Sequence, residues 1–363
     1  MQKFFGKKSI SHRESITHDE NRVWSMKPDK QEVQTYEQKK VFLVPEAWGD
    51  AWLYFIQYLK QTYTNEQVVV VAVDCKDNIP IKYIADIFVV IPEYNHQDCK
   101  TIVRNIIREY GITDIAATFE HWIDLWQEII EMYYLHCPVG FEFVSLFKDK
   151  YKTFLWAKQY GIPVVETYLL EQATDQDIAW LWNDYYLKPR WWSGSKMNFH
   201  CKDTQQLYAL QAYIKTIGSS YILQPFLAGE QRSVDLLIDR DNCKYFTRKS
   251  LMMQWSRTFT TSLESTEKFT TFMRLVVDWL PHTGIYNLDC IEKDGVIHLL
   301  EVNPRLWWWS YNAILWWYDI YHDYLQLQAS YTDNTSKKIQ YKNSSHASKK
   351  IIYEKKWLSE IIL

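Results

Sequence analysis

The sequence predicts an α/β protein, with a Rossmann-like parallel-sheet domain followed by an α+β region. Three observations carry this reading. Between residues 41 and 117, short apolar runs alternate with amphipathic stretches of helical period, the pattern of a parallel sheet with crossover helices. Between Ser233 and Leu300, two pairs of apolar runs are joined by polar turns, Asp239-Arg240-Asp241-Asn242 and Lys293-Asp294-Gly295, the pattern of antiparallel hairpins. The last run then ends in Glu301-Val302-Asn303-Pro304-Arg305, twelve residues after Asp289.

The elements follow in chain order. Residues 1–39 are polar, charged and aperiodic, and read as a disordered or loosely attached extension. Val41 to Val44 is a strand, and Pro45 to Trp52 turns into an amphipathic helix from Leu53 to Lys60. Val68 to Val73 is a second strand, closed by Asp74, an acid that can bind ribose in folds of this kind. Ile87 to Ile91, a helix from Cys99 to Tyr110 and a strand from Asp114 to Ala117 complete a domain over 40–140. Its first turn has no GxGxxG pattern, so a structural or substrate-binding role is expected there rather than dinucleotide binding.

Asp149-Lys150 opens a helix, Tyr151 to Tyr160, that stops at Gly161-Ile162-Pro163. Tyr186-Leu187-Lys188-Pro189-Arg190 ends a strand on a lysine, ahead of the loop 191–196. Leu207 to Ile217 is helical, and Tyr221 to Leu227 is a strand entering the turn Ala228-Gly229-Glu230. The two hairpins flank a helix from Phe269 to Leu280, and 329–363 reads as a polar, solvated tail.

The chain has 363 residues and a net charge of −3, so no basic field points to nucleic acid. No apolar run is long enough to cross a membrane, and the first residues lack the apolar core of a signal peptide. Six cysteines are scattered without a CxxC pair, and the histidines show no ligand spacing. A reduced, cytoplasmic setting and no zinc site are expected.

Chemistry concentrates at the last strand. Period-2 alternation puts Glu301 and Asn303 on one face, and Asp289 on the preceding strand adds a second carboxylate. Two carboxylates and an amide oxygen form a hard-oxygen site suited to Mg²⁺ that is also bound to nucleotide phosphates. Arg305 follows on the turn, where its fork can meet a phosphate or carboxylate. Lys150 and Lys188 are cations at turns, suited to phosphates, and loop 191–196 requires small residues for backbone N–H groups to approach phosphate oxygens.

The order of these motifs resembles the ATP-grasp superfamily, in the branch related to the carbamoyl-phosphate synthase large subunit. The resemblance spans about residues 41–328. It rests on DK…GIP, LKPR with its loop, LQPFLAGE, RSVD, a distal Arg, NLD and EVNPR. It implies a two-lobed α+β ATP-grasp domain over 141–328. It also implies ATP held by Lys150, Lys188, Ser193, Gly194 and Arg248. Gln224, Phe226 and Leu227 would lie at the adenine edge and Glu230 on the ribose. Asp289, Glu301 and Asn303 would hold Mg²⁺, with Mn²⁺ as the alternative ion, although the family often has Glu or Gln where Asp289 stands. Lys188 and Arg305 would act on the transferred phosphoryl group. The implied activity is a stand-alone carboxylate–amine ligase working through an acyl phosphate. The alternative is a nucleotide-binding or regulatory protein with the same fold. Small-molecule carboxylate and amine substrates are the expected partners, with no nucleic acid, no membrane and a homodimer as an expected assembly.

One feature of the composition is abnormal. Glycine numbers 10 and tryptophan 18, whereas about 7% glycine is usual, and the two counts together come close to that level. Trp191-Trp192 and Trp307-Trp308-Trp309 stand in loops that call for glycine, and Trp48 and Trp52 flank Gly49. Such a pattern is expected if UGA codons, read as glycine in the organism, are rendered here as tryptophan. A tryptophan-rich protein with an aromatic sugar-binding surface is the competing explanation. It does not account for EVNPR.

Overall fold

The computed structural model describes residues 40–332, apart from 48–49, 65–66, 117–121, 140, 182–183, 192–196, 240–241, 255–256, 281–282 and 306–318, and also residues 350–351. The segment 1–39, expected as an extension, lies outside the described residues. Gln38–Leu363 form one compact unit, to which every described residue belongs.

The N-terminal sheet is parallel. Its strands β1 (Lys40–Val44), β2 (Val68–Asp74), β3 (Ile87–Val90) and β4 (Asp114–Ile115) run in the order β3-β2-β1-β4. Helices α1 (Asp50–Thr62) and α2 (Cys99–Tyr110) provide the crossovers. The run Val68-Val69-Val70-Val71-Ala72-Val73 is buried almost throughout, as a strand covered on both faces must be. Gly111 ends α2 in the left-handed conformation, φ 59°, where a side chain would be strained. Asp74 is buried at the end of β2, and its Oδ1 accepts the Lys76 backbone N–H at 2.8 Å, so this carboxylate holds its own turn.

Helices α3 (Ile123–Tyr133) and α4 (Phe141–Phe147), not among the expected elements, lead to α5 (Lys150–Gln159). A small antiparallel sheet follows: β5 (Tyr168–Leu169), β6 (Tyr185–Pro189), β7 (Phe199–Cys201) and β8 (Tyr221–Pro225), in the order β5-β8-β6-β7. It is joined by α6 (Asp175–Trp180) and α7 (Thr204–Thr216). A capping box between Thr174 and Asp177 starts α6 by satisfying backbone donors at the helix N-terminus.

The large sheet contains β9 (Glu230–Asp239), β10 (Asn242–Gln254), β11 (Arg257–Leu263), β12 (Thr283–Lys293) and β13 (Val296–Asn303). Their order is β11-β10-β9-β12-β13, and β14 (Lys350–Ile351) pairs with β10. One face is apolar: Val234, Leu236, Leu288, Leu299 and Val302 pack with Phe272, Met273 and Val276 of α8 (Thr270–Val277). The other face carries Ser233, Asp235, Asn287, Asp289, Glu301 and Asn303, by the alternation of strand side chains. Helix α9 (Ile320–Thr332) runs four residues into the segment expected as a polar tail. Its Tyr321 and Tyr324 meet the Phe55 ring edge-on at 5.4 and 5.7 Å, and buried Gln328 donates to the His136 carbonyl at 2.8 Å.

A β-bulge sets the face of the last acidic residue. Lys293 pairs with Val296, so the turn is the two residues Asp294 and Gly295, both at positive φ, rather than the expected three. Pairing then runs regularly to Cys290–Leu299, but the next pair is Asp289–Glu301. Leu300 is the extra residue. Were Leu300 paired regularly with Asp289, Glu301 would share the core face with Leu299; the bulge turns it to the polar face beside Asp289.

At the opposite side of this sheet, the Arg232 side chain is almost wholly buried among three acids. It contacts Glu264 at 2.6 Å, Glu292 at 2.7 Å and Glu230. Removing the cation from such a cluster leaves carboxylates facing one another in partly desolvated surroundings. Arg232→Ala is therefore expected to cost about 3–5 kcal/mol, read as a lower urea midpoint at unchanged slope. Arg232→Lys, lacking the fork, is expected to restore only part of it.

Candidate nucleotide and metal site

The site begins at a helix terminus. Asp149 caps α5: its Oδ1 accepts the backbone N–H groups of Tyr151 and Lys152 at 3.0 and 3.2 Å. The same carboxylate receives a bidentate fork from Arg190, with Nε to Oδ1 at 2.9 Å and Nη2 to Oδ2 at 2.7 Å. The Lys150 backbone N–H donates to the Arg190 carbonyl at 3.1 Å. These bonds fasten the start of α5 to the end of β6. Burial opposes the Asp149 charge, but the Arg190 fork and the two backbone donors outweigh it and hold its pKa below the usual range. The sequence marks Asp149 as the opening of the helix but not its pairing with Arg190, because nothing in the spacing marks a pair 41 residues apart.

This attachment aims two lysines at the large sheet. Lys150, the first residue of α5, places Nζ 3.4 Å from Glu301 Oε1. Lys188 projects from β6, and its ammonium is close enough to Glu301, Lys150 and Asp289 for all three to act on its titration. Burial lowers its pKa to about 8, with Lys150 reinforcing the shift and Glu301 and Asp289 opposing it.

Asp289 and Glu301 are directly paired across β12 and β13, as are Asn287 and Asn303. Asn303 Nδ2 reaches Asp289 Oδ2 at 3.4 Å, and Ser233 Oγ donates to Asp289 Oδ1 at 3.1 Å. Burial raises the Asp289 pKa to about 6, Glu301 adds to the rise, and Ser233, Arg305 and Arg248 pull it back. Two carboxylates held this close repel each other, an arrangement a divalent cation relieves. Among the described residues no group of three His, Cys, Asp or Glu side chains could hold a metal. Two acids and an amide suit Mg²⁺, which takes few protein ligands and completes its shell with phosphate and water.

Arg305 is buried, with its backbone N–H on the Asn303 carbonyl at 2.8 Å, and its charge acts on Asp289. Arg248 lies in the same layer, register-paired to Ser233, but is 1% exposed and ion-paired to Asp235 at 2.8 Å. Gln224 is paired to Tyr186 on the small sheet and spends its amide N–H on Thr167 Oγ1 at 2.8 Å. The Phe226 backbone N–H donates to the Asp184 carbonyl at 2.8 Å, and its ring stacks on His200 at 3.8 Å. Leu227 is half-buried beside it. Ser193 and Gly194 lie outside the described residues.

Glu230 is not brought into this cluster. It falls on the opposite strand parity from Ser233, and Lys249 and Arg232 bind its carboxylate, lowering its pKa to about 2. Its neighbour Gln231 has the parity of Ser233 and Asp289. The ribose role expected for Glu230 therefore meets a physical obstacle, since the side chain is already engaged on the far face. Ser233, Asp235 and Asn287 were also missed; their signal was polar residues recurring at period two inside apolar strands.

The tryptophans divide by environment. Trp126 and Trp52 are buried, their indole N–H groups donating to Glu46 Oε1 at 3.2 Å and to its carbonyl at 3.1 Å. Trp279 stacks on Tyr160 at 3.9 Å. In contrast, Trp122 sits at φ 55°, a glycine-like conformation, and Trp191 is exposed with Arg190 over its ring at 4.5 Å. Trp48, Trp192 and Trp307 to Trp309 lie outside the described residues.

Residues 147–307 match the ATP-grasp domain family, and the chain has the ATP-grasp fold. Among solved structures it is similar to the biotin carboxylase domain of Hydrogenobacter thermophilus 2-oxoglutarate carboxylase, in complex with MgADP, ADP and bicarbonate. That match has 15% identity and a TM-score of 0.66 over 79% of this chain and 69% of the other. It is also similar to N5-carboxyaminoimidazole synthetase from Staphylococcus aureus complexed with ADP. There the identity is 16% and the TM-score 0.64, over 76% and 73% of the two chains. A biotin carboxylase complex from Campylobacter jejuni matches with 13% identity and a TM-score of 0.64, over 79% and 70%. No curated protein matches the sequence.

Two outcomes follow from this geometry. Lys188 carries its charge below about pH 8 and loses it above, so ATP affinity is expected to be flat from about pH 7, above the Asp289 pKa of about 6, to about pH 8 and then to fall up to about tenfold per unit. Lys188→Met should bind weakly at every pH, with that break abolished; a wild-type profile flat to pH 10 would remove Lys188 from the phosphate contacts. Asp149→Ala should raise the Kd for ATP at least tenfold, because both Lys150 and the end of β6 lose their fastening. Isothermal titration with ATP·Mg²⁺ measures it.

Proposed function

We propose that the protein is an ATP- and Mg²⁺-dependent carboxylate–amine ligase, which activates a carboxylate as an acyl phosphate for attack by an amine or similar nucleophile. The supporting observation is the convergence of Asp289, Glu301 and Asn303 with Lys150 and Lys188 in a domain of ATP-grasp type. The ADP-bound and MgADP-bound carboxylases and synthetases of similar fold favour the same reading.

In this reading Asp289, Glu301 and Asn303 hold Mg²⁺, which neutralises phosphate charge as the γ-phosphoryl group moves. Lys150 and Lys188 bind and orient the phosphates from the opposite wall. Arg305 faces the group being transferred, and its buried guanidinium is pre-aligned for it. Gln224, Phe226 and Leu227 line the adenine end. With Glu230 engaged elsewhere, Gln231 is the better placed residue for the ribose. No side-chain nucleophile is needed, because phosphate is the leaving group and the amine supplies the attacking electron pair. The parallel-sheet domain over 40–140 is assigned to acceptor binding, and the ATP-grasp domain to 141–328. A cytoplasmic setting and a homodimer belong to the same proposal; among the described residues no helix is long and apolar enough to cross a membrane.

The loop tryptophans belong to this proposal too. Close backbone approach to phosphate at 191–192 is hard to reconcile with two indoles, so glycine is proposed as the native residue at Trp191, Trp192, Trp307, Trp308 and Trp309. UGG codons at these positions would refute it. Tryptic mass spectrometry on the native protein decides the same point.

ATP with Mg²⁺ is expected to raise the melting temperature of the protein carrying its native loop residues, while Glu301→Ala should abolish turnover by at least a hundredfold. The sequence with all five loop tryptophans should bind ATP at least tenfold more weakly than its glycine counterpart. No thermal response to ATP·Mg²⁺ in the glycine form would overturn the ligase reading.

A further inference from the structure

On the same face as Asp289, Glu301 and Asn303, beside them along the sheet, runs a chain of buried polar groups, of which Asp235 and Asn287 have no role given above. Asp235 on β9 is at its centre, 2% exposed. Its Oδ2 pairs with Arg248 Nη2 at 2.8 Å, and its Oδ1 accepts from Asn287 Nδ2 at 2.9 Å. Asn287 is fully buried and Arg248 is 1% exposed. The chain thus spans β10, β9 and β12 in one layer.

Asn287 is one register step from Asn303, and Arg248 and Asp235 are each two steps from a proposed ligand. Arg248 is opposite Ser233, whose hydroxyl donates to Asp289 at 3.1 Å. Asn287 is opposite Asp235 on one side and Asn303 on the other. A buried ion pair is a weak source of stability, and well-packed apolar residues often do as well or better. Polar groups that orient metal ligands from behind, however, change metal affinity or activity by about 10–100-fold when removed.

We propose that Asp235, Arg248 and Asn287 are positioning residues: together they hold Asp289 and Asn303 in the spacing that binds a metal–nucleotide complex, without touching the nucleotide. The inference rests on the proposed ligase reading, and it reassigns Arg248 from a phosphate contact to a support acting through Ser233 and Asp289. Its burial and its pairing with Asp235 fit a support better than a direct contact.

The test is the full-length protein with Asp235→Leu and Arg248→Met combined, which removes both charges without stranding either. Thermal melting reports the fold. Binding of Mn²⁺ in the presence of ATP, followed by electron paramagnetic resonance, reports the site without requiring turnover. Mg²⁺ titration of activity gives the metal requirement separately from kcat. The double variant should melt within a few degrees of the parent, with Mn²⁺–ATP affinity lowered 10–100-fold and a Mg²⁺ requirement raised by a similar factor. The fall in kcat at saturating Mg²⁺ should be smaller than that. Unchanged metal affinity, within twofold, in the folded double variant would overturn the proposal. Asp235→Asn, which keeps the volume, is read in the same way if the double variant does not fold; if neither folds, the chain is structural and the proposal falls. A parent that binds Mn²⁺–ATP but shows no turnover removes the ligase reading and leaves the positioning comparison decided by Mn²⁺ affinity. A parent that does not bind Mn²⁺–ATP removes both.

Discussion

The bidentate contact between Arg190 and Asp149 is the constraint on which the site's geometry turns. One carboxylate closes the N-terminus of α5 and clasps the end of β6 in the same few ångströms. Without it the two lysines would belong to separate elements with no common frame: Lys150 starts the helix, Lys188 lies two residues before Arg190. A helix cap usually secures only its own first turn. Here it also fixes the distance between two cations that share one cleft.

Charge in that cleft is balanced rather than neutral group by group. Lys150 approaches Glu301, and Lys188 is influenced by Glu301 and Asp289 together, while burial disfavours the charge on both Lys188 and Asp289. The fold therefore holds like charges near one another on each wall and opposite charges across the gap. Such a site is strongly polarised before any ligand arrives, the condition under which fixed charges do most for a reaction that moves charge. The buried pair of Arg248 and Asp235 lies beside the acidic wall on the same sheet face and adds no net charge to it.

Much of this was legible in the sequence because strands advertise their faces. The alternation of Val68 to Val73 with flanking helices gave the parallel sheet, and NLD with EVNPR gave the acidic wall. Other parts were not legible for definite reasons. The pairing of Asp149 with Arg190 is long-range and carries no periodic signal. The face that Glu230 takes depends on the parity of β9, and a strand's first residue is where parity is hardest to read. Helix α3 does carry an apolar stripe, Trp126, Ile129, Ile130 and Tyr133, whereas the seven residues of α4 are too few for a helical period to stand out. Strand β11 is rich in threonine, so its sequence, Arg257-Thr258-Phe259-Thr260-Thr261-Ser262-Leu263, lacks an apolar run.

The bulge at Leu300 has a bearing on how length can vary in this hairpin. With a two-residue turn, facing residues are always separated by an odd number of positions, as Cys290 and Leu299 are. Asp289 and Glu301 face each other at an even separation, and the one extra residue is what permits it. Insertions and deletions between them are consequently quantised. Two residues added at the turn lengthen both strands and leave every face in place. A single residue lost anywhere from Ile291 to Leu300 must either erase the bulge or rotate Glu301 and Asn303 into the apolar layer. The spacing of the motif thus works as a parity check on the strand, sensitive to odd changes in length and indifferent to even ones.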